Sequence, residues 1–128
     1  MNAQWLGGFG SETASLLKEY AAISEGLTYP YPYDLNSELP SVRAFIAAYQ
    51  TKYGELPDNS AANAYDALKV LSVAIAQSGE SPVNVKSALV GIQNYAGGSG
   101  LLSFDANGNV QKEILIKQVK DGKFVRVQ

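Results

Sequence analysis

Apolar residues recur at helical spacing through the middle of the chain and alternate from Gly97 onward. The longest helical stretch is Pro57 to Gly79, PDNSAANAYDALKVLSVAIAQSG. Ala61, Ala64, Tyr65, Leu68, Leu71 and Ile75 form its stripe. Val70, Val73 and Ala74 widen it until only Asn63, Asp66, Lys69 and Gln77 keep a polar edge. Asp58, Asn59 and Ser60 offer oxygens to cap the first turn, and Gly79 suits the last. The pattern predicts a core helix covered on most sides.

The same reading assigns the flanks. In Gln4 to Gly26, a short apolar run, Trp5-Leu6, enters the turn Gly7-Gly8-Phe9-Gly10. Ser11 then caps a helix to about Ser24, with Leu16, Leu17, Tyr20 and Ile23 on one face. Leu27 to Asp34, LTYPYPYD, alternates tyrosine with proline, which cannot donate to a ladder, so it is an edge strand or an extended crossing segment. Tyr29, Tyr31 and Tyr33 then share a side.

After the loop Leu35 to Pro40, PSVRAFIAAYQTKYG reads as a helix burying Val42, Phe45, Ile46, Tyr49 and Tyr53 and ending at Gly54. Ser81-Pro82 opens another, with Val85, Ala88, Leu89 and Ile92 inward, ending near Asn94. Gly100 to Phe104, Glu113 to Lys120 and Lys123 to Val127 read as strands joined by the turns Asp105-Ala106-Asn107-Gly108 and Asp121-Gly122, a small antiparallel meander. A strand-helix unit, three helices and this meander make an α/β inventory with too little sheet for so apolar a helix. Either the helices cover one another or the sheet belongs to residues outside this chain.

Composition narrows the chemistry. At 128 residues, 46% hydrophobic and 17% charged, the chain has the length and make-up of one folded domain. Ten basic and twelve acidic residues are scattered and sum to −2, which gives no footprint for a nucleic acid. Cysteine and histidine are absent, removing disulfides, thiolate metal sites and the usual general base. An enzyme would have to run on carboxylates such as Asp34, Asp66 and Asp105, which show no motif spacing. The Asp105 turn resembles a calcium loop, but its twelfth position is Ile116 where a glutamate is needed. No catalytic residue, metal or cofactor is expected. No apolar run approaches the ~20 residues that span a bilayer, and Met1-Asn2-Ala3-Gln4 is not a signal peptide.

Four motifs, in this order and spacing, carry a resemblance. They are F-x-x-x-Y-x-x-x-Y-G-x-x-P at Phe45 to Pro57, A-Y-D-A at Ala64 to Ala67, F-D-x-N-G at Phe104 to Gly108 and Q-V-x-D-G-K-F at Gln118 to Phe124. From Trp5 to Val127 the chain resembles the C-terminal portion of the type I periplasmic binding proteins of the branched-chain amino-acid (leucine/isoleucine/valine) family, the substrate-binding components of ABC importers. The resemblance implies a non-catalytic, two-lobed α/β protein that closes on a small solute by hinge motion and presents it to a membrane permease. It also implies a fragment of such a protein, periplasmic or extracellular, with its signal peptide outside this chain.

In that family the chain passes between lobes three times. By analogy, 1–29 and 100–128 are segments of the C-terminal lobe, 35–95 the helices of the N-terminal lobe, and 29–34 a hinge crossing centred on Tyr31 and Pro32. The family's acidic residue, which holds a ligand's ammonium group, falls on Phe9, beside Gly10. An apolar wall at the start of the core helix falls on Ser60. Phenylalanine in place of a carboxylate implies an apolar or aromatic solute. For Phe9 and Ser60 the alternatives are loop packing and helix capping. A ligand sensor or receptor domain of the same fold is the alternative function. Strands without neighbours predict pairing with another copy, as a homo-oligomer or domain-swapped dimer.

Overall fold

The structure is a computed structural model that describes residues 3–127. Among those residues it contains four α-helices, α1 (Ala14–Ser24), α2 (Pro40–Tyr53), α3 (Asn59–Ser78) and α4 (Pro82–Val90). Six short strands accompany them: β1 (Thr28–Tyr31), β2 (Tyr95–Gly97), β3 (Gly100–Phe104), β4 (Val110–Lys112), β5 (Leu115–Lys120) and β6 (Lys123–Arg126). The strands make two antiparallel sheets, β1-β5-β6 and β2-β3-β4. The chain divides into two units. One runs to Pro32 and resumes at Ile114; the other is Tyr33–Glu113.

In the first unit β1 is an edge strand, as Pro30 requires, that residue lying opposite Ile116 and exposed. Tyr29 and Tyr31 point inward, and their rings meet edge to face at 6.1 Å, with Phe124 closing on Tyr29 at the same distance. The expected opening strand is reduced to one parallel bridge, Leu6 to Thr28. Nor does Ser11 cap α1. It closes a 3-10 turn, Phe9–Ser11, and Thr13 is the cap, its Oγ1 accepting from the N–H of Leu16 at 3.2 Å. The helix kinks at Tyr20, and Tyr20 and Ile23 are exposed rather than buried.

The second unit is built on α3, whose caps match expectation: Asp58 Oδ1 accepts from the Ala61 N–H at 2.8 Å, and Gly79 ends the helix. Its inward face matches only at Val70 and Ala74. The buried stripe is Ala62, Asp66, Val70 and Ala74, whereas Leu68 is 71% exposed and Tyr65, Leu71 and Ile75 are also open. The reason is sheet β2-β3-β4, which supplies donors to Asp66 and apolar partners to Val70. Val70, Ile92 and Leu102 form the core here, with Leu89, Tyr95 and Phe104 packed against it. On α2, Val42 and Phe45 are buried and Tyr53 is exposed.

The meander is also corrected. Helix α4 stops at Val90, short of Asn94, which takes a left-handed backbone (φ 51°) and turns the chain into β2. Strand β3 pairs with β2 and β4, while the expected strand from Glu113 begins at Leu115 and pairs with β1. Residues 100–113, expected with the terminal strands, therefore lie in the unit of α2, α3 and α4. The outer ends of the expected terminal segments, residues 1–2 and 128, lie outside the described residues.

Candidate functional site

The loop from Gly7 is held by backbone bonds at its entry. Gly7 N–H donates to Thr28 O at 2.9 Å, and Thr28 N–H donates to Trp5 O at 3.0 Å. Ser11 folds back beneath Gly7, where a Cβ would overlap the Ser11 hydroxyl and force it to rotate away. This arrangement leaves Phe9 65% exposed and Gly10 exposed beside it. Loop packing is thus not what occupies the Phe9 ring.

Directly after the turn stands Glu12, a residue the periodic reading passed over. Its carboxylate accepts from the Tyr29 hydroxyl and from Lys117 Nζ, each at 2.7 Å, and both ion-pair side chains are only 13% exposed. Tyr29 and Lys117 are opposite residues in the β1–β5 ladder, and Lys117 Nζ lies 4.8 Å from the centre of the Tyr31 ring. Burial, reinforced by the bond to Glu12, pushes the Tyr29 phenol well above its ordinary value. The consequence for recognition is direct. The carboxylate nearest Phe9 in sequence is consumed within the unit, so this loop offers a π face rather than a free anion.

Ser60 lies in the first turn of α3 and is exposed. Capping belongs to Asp58, which relieves Ser60 of that task. One turn further, Asn63 Oδ1 accepts from Lys112 Nζ at 3.2 Å, and the same ammonium donates to Ser99 Oγ at 2.8 Å. Behind them Asp66, 3% exposed, accepts from Gly98 N–H at 2.6 Å, Ser99 N–H at 2.8 Å and Ser99 Oγ at 2.5 Å. A Cβ at Gly97 would collide with this carboxylate, so the sheet backbone can approach α3 only as glycine. Desolvation lowers the Lys112 pKa, partly countered by the nearby Asp66 charge.

The predicted residues are thus distributed: Phe9 and Gly10 adjoin in the first unit, and Ser60 belongs to the second. Tyr31 ends β1, and Pro32 is the last residue before the first crossing between units. The three carboxylates weighed for catalysis have other tasks. Asp34 accepts from the Asn36 N–H, Asp66 is sequestered, and Asp105 accepts from Asn107 and Asn109, bonds that hold its carboxyl below the usual range. The second unit also carries an open groove of about 390 Å³ between α2 and α3, lined by Phe45, Tyr49, Lys52, Tyr53 and Tyr65. Among the described residues, no helix is long and apolar enough to cross a membrane.

A family model described as periplasmic binding protein matches residues 2–123. Among solved structures, the leucine-binding protein LivK of Thermotoga maritima is 28% identical with a TM-score of 0.85, over 96% of this chain and 36% of that one. An extracellular ligand-binding receptor from Desulfohalobium retbaense is 26% identical with a TM-score of 0.80, over 99% of this chain and 22% of that one. LivJ of Streptococcus pneumoniae, solved with isoleucine, shares the fold at 24% identity and a TM-score of 0.79, over 98% of this chain and 38% of that one. The chain spans about a third of the length of these transport proteins. No curated protein matches the sequence. The α/β architecture, four helices with antiparallel sheets, is that of part of a type I periplasmic binding protein.

Proposed function

Because the chain belongs to the periplasmic binding protein family, we propose that it is part of the solute-binding component of an ABC importer of the branched-chain amino-acid type. That component binds a small apolar or aromatic solute and delivers it to a membrane permease, from the periplasm or the cell exterior. Phe9 and Gly10 contribute contacts from the glycine loop, Ser60 from the first turn of α3, and Tyr31 with Pro32 serves as a hinge. The family is one of solute binding and transport rather than catalysis.

One observation carries the solute class. Phe9 is exposed at the position that the resemblance gives to an acidic residue, and the neighbouring Glu12 carboxylate already serves Lys117 and Tyr29. A π face contributes at most ~0.5–2 kcal/mol toward an ammonium group, less than a charge-assisted bond to a carboxylate. Selection for an α-amino group is therefore weak, and stacking on a flat or apolar solute is favoured. Ser60, small and exposed, leaves room for bulk or a hydroxyl. Thermal-shift titration of the whole protein with benzoate, L-phenylalanine and L-leucine tests this. Larger shifts with the two aromatic carboxylates are expected, and no shift with any of the three contradicts it.

The exposed stripe of α3 supports reading the chain as one part of a longer protein, whose other residues cover Tyr65, Leu68, Leu71 and Ile75. Expressed alone, the 128-residue chain is expected to self-associate through that stripe. Light scattering that finds a monomer across micromolar concentrations contradicts this. A second reading, a ligand sensor or receptor, draws on the likeness to the Desulfohalobium retbaense protein. Uptake of the solute that survives deletion of the gene would favour the sensor.

A further inference from the structure

Two lysines bracket the second crossing between units: Lys112 closes β4, and Lys117 sits in β5 just beyond Ile114. Lysines on short surface strands ordinarily extend into water, yet both of these turn inward. Lys117 is 13% exposed and meets Glu12, immediately after the loop that carries Phe9. Lys112 is half-buried and donates to Asn63 and Ser99 within its own unit. Removing an ammonium from water is costly, and replacing both members of the Glu12–Lys117 pair by uncharged side chains is often neutral for stability. Buried ion pairs like that of Lys117 and Glu12 are weak evidence for stability. They fix direction and distance, which an apolar contact leaves loose.

We infer that Lys117 is a positioning residue for solute binding, clamping the loop that bears its unit's solute contact. Lys117 acts through Glu12 on the loop of Phe9 and Gly10. The Tyr29 hydroxyl donates a second hydrogen bond to the same Glu12 carboxylate. The inference rests on the proposed function for its binding readout, but the clamping itself can be read without any solute.

The test is made on the whole protein with the pair Glu12→Gln and Lys117→Met, which removes both charges without leaving one stranded. Its melting temperature is expected within about 3 °C of the parent. Benzoate or L-phenylalanine affinity is expected to fall by about tenfold or more, whereas Lys117→Arg, which keeps the pair, stays within about threefold. Amide exchange at Gly7 to Ser11 should quicken by about tenfold in the double variant and stay unchanged in the arginine variant. Affinity and loop exchange both unchanged in the double variant overturn the inference, as does a loss of affinity that only follows a fall in melting temperature. If the parent binds none of the probes, the proposed function fails, and loop exchange alone then decides the clamp: quickened exchange upholds it and unchanged exchange overturns it.

Discussion

Asp66 accepts three hydrogen bonds from the turn that follows β2, with Lys112 nearby. Asp66→Ala is expected to cost about 3–5 kcal/mol, because two backbone donors and a hydroxyl lose their acceptor and the nearby Lys112 ammonium loses a countercharge. A lowered urea midpoint reads that loss. Gly97→Ala should cost about 1–3 kcal/mol by forcing the carboxylate aside. None of this is legible in the helical period, which puts Asp66 on the polar edge; its donors lie 32 and 33 residues away. Tyr29 makes a pH-dependent prediction. Its phenol is harder to ionise folded than unfolded, first through burial and then through Glu12. Stability it supports is therefore present below the ordinary phenol value of 10.0 and declines as pH rises above it, where the unfolded chain releases the proton first. Lys112 acts in the opposite sense: its lowered pKa makes stability rise with pH just below the ordinary lysine value of 10.5. Urea midpoints through this range for Tyr29→Phe should lose the downward component alone.

Helix α3 was legible in its length and caps and illegible in its face. Asp58 and Gly79 announce the ends because capping is local chemistry, and Asp58→Ala should cost about 1 kcal/mol. Its face is chosen by what packs on it, and here Val70 meets Ile92 and Leu102 while Leu68 meets water. Val70→Ala should therefore cost about 2 kcal/mol in the 128-residue chain. Leu68→Glu should stay within about 0.5 kcal/mol at concentrations low enough to keep that chain monomeric, because the exposed stripe it sits on matters only to self-association. The ordering of those two values, read by chemical denaturation, checks the assignment of faces. Alternation likewise gave the strands after Gly100 but not their partners. Two sheets share the stretch because the chain crosses between units after Glu113, and a period of two carries no record of a neighbour. The short β2 escaped notice because Asn94, rather than a glycine, takes the left-handed turn ahead of it.

For the molecule as a whole, the resemblance was carried by four short motifs, two of whose carboxylates have structural tasks. Asp66 of A-Y-D-A binds the β2–β3 turn, and Asp105 of F-D-x-N-G closes its own turn through Asn107 and Asn109. Solute contact leaves no such trace, since Phe9, Gly10 and Ser60 are set apart by exposure and by the resemblance rather than by a motif. The proposed function therefore stands or falls on recognition at Phe9. Isothermal titration of the whole protein with benzoate, and of its Phe9→Ala variant, measures this most directly. The account predicts one-to-one binding by the parent, weakened about tenfold or more in the variant at an unchanged melting temperature. Equal affinity in the two proteins, or no saturable heat from the parent with benzoate, L-phenylalanine or L-leucine, would contradict it.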